Sequence, residues 1–72
     1  MNPSEPHDEK DPRYHAQNIH RMLTDVMRHA REDVDKVDDP TAQALYETTA
    51  EVLGGLAKAY EHYLQRAEKA WR

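Results

Sequence analysis

Apolar residues recur through the second half of the chain at steps of three and four. At ~100° of turn per residue, Leu45, Thr49, Val52, Leu56, Tyr60, Tyr63 and Ala67 line one side of a helix. A second stripe lies beside it: Tyr46, Leu53, Ala57, Leu64 and Trp71, with the last three at strict seven-residue spacing. Together the stripes exceed the ~100° apolar arc of an ordinary surface helix. One can pack on the rest of the chain; the other calls for a further partner.

The first half shows a single stripe. Ile19, Leu23, Val26, Ala30, Val34 and Val37 recur at steps of four, three, four, four and three, bordered by Ala16, Met27 and Met22. Asp11-Pro12 and Asp39-Pro40 supply matching start signals. An Asp side chain can accept backbone N–H bonds as N-cap, and Pro at the first helical position gives up no needed donor. The pattern predicts helices at about 12–37 and 40–71. The connection between Val37 and Pro40 is too short for a parallel return, so the helices run antiparallel. At ~1.5 Å per residue, the second helix overreaches the first by about two turns, and Trp71 falls in that overhang.

Residues 1–10 hold two of the four prolines and no apolar periodicity, and read as a flexible tail. The predicted fold is all-α: a tail, then an antiparallel two-helix hairpin over 11–72. Two chains are expected to join into a four-helix bundle through Tyr46, Leu53, Gly54, Ala57, Leu64 and Trp71. Gly54-Gly55 falls inside the second helix, where each Gly costs about 0.5–1 kcal/mol relative to Ala. The apolar phase runs unbroken across the pair, so a continuous helix is expected, with Gly54 admitting a close neighbour.

Composition narrows the picture further. A chain of 72 residues forms one small domain with a marginal core, and without Cys it has neither disulfides nor thiolate chemistry. The net charge of −4 comes from interspersed acids and bases with no basic face, which argues against nucleic acid or anionic membrane as partner. No apolar segment near Met1 has the character of a signal peptide, and no apolar run reaches bilayer length. A cytoplasmic protein is the expectation.

Five carboxylates fall between positions 32 and 39: Glu32, Asp33, Asp35, Asp38 and Asp39. Acids in a last helical turn oppose the macrodipole, whereas Asp38 and Asp39 precede the next helix, where acids are favourable. The cluster reads as a solvated corner balanced by Arg28, Arg31 and Lys36, or as a docking surface for a basic protein. Its spacing is not that of an EF-hand, and the required Gly is missing.

Catalytic and metal chemistry find little support. No acid stands three residues before any of the five His, so the Glu-x-x-His of di-iron bundles is absent, as is His-Glu-x-x-His. Asp25/His29 and His29/Asp33 have ion-pair spacing. His15 and Asp33 lie nearer the apolar stripe but five turns apart, so only an antiparallel dimer could join them. His20 and His62 are expected to face solvent. Glu47/Glu51 reads as a solvated like-charge pair, and Ser4, the one serine, lies in the tail. Tyr46, Tyr60, Tyr63 and Trp71 suit a protein interface more than a ligand pocket. The sequence therefore points to a non-catalytic interaction module without a cofactor. The alternative is a bundle whose metal or small-ligand site forms only at a dimer interface.

Overall fold

The computed structural model of the chain describes residues 9–70. Residues 1–8 of the expected tail lie outside the described residues, as does Trp71 with its expected places in the overhang and at a two-chain interface. The protein is all-α, with two helices, α1 (Pro12–Val34) and α2 (Pro40–Ala70), packed as an antiparallel hairpin.

Both Asp-Pro signals start helices. Asp11 has extended backbone (φ −74°, ψ 114°), and its Oδ1 accepts the Arg13 N–H at 2.9 Å. Asp39 Oδ1 accepts the Thr41 N–H at 3.0 Å. Glu9 and Lys10, placed in the tail by sequence, form a turn before α1, and the Glu9 carbonyl is bonded to the His15 ring.

α1 ends at Val34 rather than near position 37. The N–H groups of Asp35 and Lys36 turn to the carbonyls of Glu32 and Asp33, three residues back, which tightens the chain out of α geometry. Acids at the end of α1 weaken its last turn, and Pro40 holds the residue before it away from helical backbone. The Gln43 amide then donates to the carbonyls of Val34 (3.3 Å) and Val37 (2.8 Å), satisfying groups left open where α1 stops.

α2 continues through Gly54-Gly55, and no glycine has positive φ. A Cβ on Gly54 would meet Met27 Sδ at 3.4 Å, whereas one on Gly55 would meet nothing within 4 Å. Gly54 therefore sits against α1, and Gly55 faces open space.

The seam between the helices is lined by small residues. Among the described residues the buried apolar ones are Ala16 (6% exposed), Ala50 (3%) and Ala57 (3%), and no larger side chain is fully buried. Leu23, Met27, Ala30 and Val34 of α1 flank them half-buried, as do Tyr46, Leu53, Tyr60 and Leu64 of α2. The contact face of α1 is turned by about 40° from the stripe read in the sequence, leaving Ile19 and Val26 outside the seam. This rotation brings His20 inward: its Nε2 lies 2.9 Å from Glu61 Oε2, a link across the helices in place of the expected solvent exposure.

His20 lies level with Glu61 and Met27 with Gly54, a step of seven residues on each helix. Continued at ~1.5 Å per residue, this register brings Pro12 level with the last residues of α2. The extra length of α2 is thus taken up at the connection, and among the described residues α2 does not overreach α1 at the open end. The molecule measures 48 × 26 × 15 Å, with a radius of gyration of 15.9 Å against roughly 11 Å for a compact domain of this length. It is one helix thick.

Candidate interaction surface

The residues assigned by sequence to a second chain are placed otherwise in the hairpin. Tyr46, Leu53, Gly54, Ala57 and Leu64 are the part of α2 covered by α1: Ala57 is buried and the other four are half-buried. The stripe thought to be covered is open at four of its seven positions, while Thr49, Tyr60 and Ala67 are half-buried. Leu45, Val52, Leu56 and Tyr63 of α2 are exposed, together with Ile19, Met22 and Val26 of α1, at fractions from 37% (Ile19) to 61% (Leu45).

These two sets share one broad face. On α1, Ile19, Met22 and Val26 lie about 40–100° to one side of the Ala16–Leu23–Ala30 line, and on α2 the open residues lie about 100–140° from Ala57 in the same rotational sense. Because the helices run in opposite directions, equal rotations bring both sets to the same side of the plate. A groove of about 600 Å³ confirms the placement, since it is lined jointly by His15, Ala16 and Ile19 of α1 and by Tyr60 and Tyr63 of α2. The opposite side carries Arg21, Asp25, Arg28, Glu32, Glu47, Glu51 and Lys58, all exposed. The hairpin is amphipathic as a whole plate.

The seven exposed apolar side chains present roughly 600 Å² per chain, at the top of the range for the largest apolar patch on a monomer. With their flanks they approach the roughly 800 Å² per partner of a stable protein interface.

The acidic corner, Glu32, Asp33, Asp35, Asp38 and Asp39, gathers at the connection end of the plate. Glu32 pairs with Arg28 at 3.4 Å and Asp33 with Lys36 at 3.5 Å, while Asp39 caps α2. Asp35 and Asp38 have no ion-pair partner among the described residues. Asp25 turns to Arg28 at 3.7 Å, so neither acid spaced to meet His29 does so. Among the described residues no three His or acidic side chains are grouped to hold a metal ion, and no helix is long and apolar enough to cross a membrane.

At the open end, the Arg13 side chain bonds to Asp11 Oδ2 at 3.0 Å and, with the Arg13 backbone N–H, holds the Asp11 carboxyl below the usual carboxylate range. Sequence reading missed two contacts here: the His20–Glu61 link and the Gln43 cap of α1. His20 had a detectable signal in its four-residue offset from Ala16. Gln43 had none, because its acceptors lie at the end of α1 and in the connection, six and nine residues back.

Comparison of the chain with known protein families, curated proteins and solved structures finds no match. The fold and the open face together define the class: a two-helix antiparallel hairpin with one apolar side.

Proposed function

We propose that this protein is a non-catalytic self-association module, in which two hairpins pack their open apolar faces together as a four-helix bundle. The observation supporting this reading is the imbalance of burial. The hairpin hides three alanines in its seam and leaves Leu45, Val52, Leu56, Met22 and Val26 largely outside. Burying apolar area is the main favourable term in association, and a chain of this size gains most from a second layer. Self-association suits a face that is continuous, flat and free of like charge along its middle. A structural or adaptor role follows, with the charged outer sides of the bundle left for other proteins and the acidic corner available to a basic one.

Light scattering over a range of concentrations tests this reading. A mass near twice 8.4 kDa is expected, falling on dilution. Val52→Asp places a charge on the open face and should leave a smaller species at concentrations where the parent is dimeric. A parent that stays at the single-chain mass up to millimolar concentration overturns the proposal.

A further inference from the structure

The two chains can stack with their connections at opposite ends or at the same end, and the distribution of side chains separates these arrangements. We infer that they stack with connections at opposite ends, around a two-fold axis crossing the face at Val26 and Leu56, so that Leu45 of each chain enters the groove of the other. This inference rests on the self-association reading and adds its orientation, register and contacts.

The α2 stripe that holds the open residues, with half-buried Thr49, Tyr60 and Ala67 among them, is symmetric in spacing about Leu56. Val52 and Tyr60 stand four residues away on either side, Thr49 and Tyr63 seven, Leu45 and Ala67 eleven. Two α2 helices crossing antiparallel at Leu56 therefore set Val52 against Tyr60, Thr49 against Tyr63, and Leu45 against Ala67. Each pair joins a larger side chain to a smaller one, as interdigitated layers require. The register of the hairpin, fixed by the His20–Glu61 and Met27–Gly54 contacts, brings Val26 level with Leu56 to within a residue. One axis thus serves both helices. On α1 it sets Met22 over Ala30 and Asp33 of one chain over Ile19 of the other.

The groove supplies an independent reason. It opens at the end of the plate remote from the connection, between His15 and Ile19 on α1 and Tyr60 and Tyr63 on α2. Leu45, at 61% the most exposed large apolar side chain among the described residues, lies eleven residues from Leu56 on the other side. The axis carries each Leu45 to the mouth of the partner's groove, beside Tyr63. A protruding residue and an empty groove on one chain become two filled contacts in the pair.

Charge selects the same arrangement. Residues 31–47, around the connection, contain two bases and six acids. Residues 9–20 with 61–70, at the other end, contain four bases and four acids, with three His besides. Stacking with connections together would hold two acidic ends within a Debye length of one another; stacking with connections apart sets each acidic end against a neutral one.

The test is a distance. Thr41 is exposed at the start of α2, and the chain has no other Cys, so Thr41→Cys accepts a single nitroxide label. Pulsed electron–electron resonance on the labelled dimer should give about 45 Å, twice the rise over the fifteen residues from Leu56. A distance below about 25 Å in a protein of dimeric mass overturns the orientation and leaves self-association standing. A label with no partner, at the single-chain mass, overturns self-association itself. The double change Asp35→Lys with Asp38→Lys gives a second readout through its sign. It brings the connection end from a net −4 to neutral and should not tighten the dimer at low salt, because that end faces no acidic one in this arrangement. Tighter association would mean that two acidic ends had been adjacent, and the inference would fall.

Discussion

Asp11 shows how a single side chain ties the start of α1 to pH. Its carboxylate accepts from the Arg13 backbone and side chain, and its folded pKa is lowered as a result. A carboxyl whose folded pKa lies below its unfolded value stabilises the fold above the unfolded value and ceases to do so as pH falls through the folded one. The first turn of α1 should therefore loosen in acid, below about pH 4. Circular dichroism of Asp11→Ala against the parent checks this, and the variant should lack that part of the acid response. Gln43 acts at the other end of α1. Gln43→Leu keeps the bulk of the side chain but withdraws its donors from the Val34 and Val37 carbonyls, and should lower stability by about 1 kcal/mol in urea titration.

At the scale of the helix, the two neighbouring glycines have different surroundings. Gly55→Ala meets open space and should raise helix stability by about 0.5–1 kcal/mol, seen as a higher melting temperature. Gly54→Ala brings a methyl to 3.4 Å from Met27 Sδ, so its gain is smaller. Ala57 is constrained further: Ala57→Leu overfills the seam and should cost about 1–3 kcal/mol. These elements also show what the sequence made legible. Both helix starts were readable at Asp11-Pro12 and Asp39-Pro40, because a cap and its proline act within a few residues. The continuity of α2 through Gly54-Gly55 was readable from the apolar phase. Which stripe faces α1 was not. Periodicity gives weight to large apolar residues, whereas two helices packed closely select small ones, and Ala16, Ala50 and Ala57 took the seam while Leu45, Val52 and Leu56 were left outside.

For the molecule as a whole, the plate is one helix thick, with an apolar side and a charged one. Comparison of Val52→Asp with Leu53→Asp separates the roles of the two α2 stripes. The first should yield separate hairpins that keep much of their helix, whereas the second strikes the seam and should lose helix content along with mass, read by circular dichroism beside light scattering. The alanine seam has a thermal consequence too. The heat-capacity increment of melting follows the apolar area newly hydrated, and three methyl-sized side chains contribute little of it. A lone hairpin should thus have a shallow stability curve, a broad melt in calorimetry and little tendency to unfold in the cold.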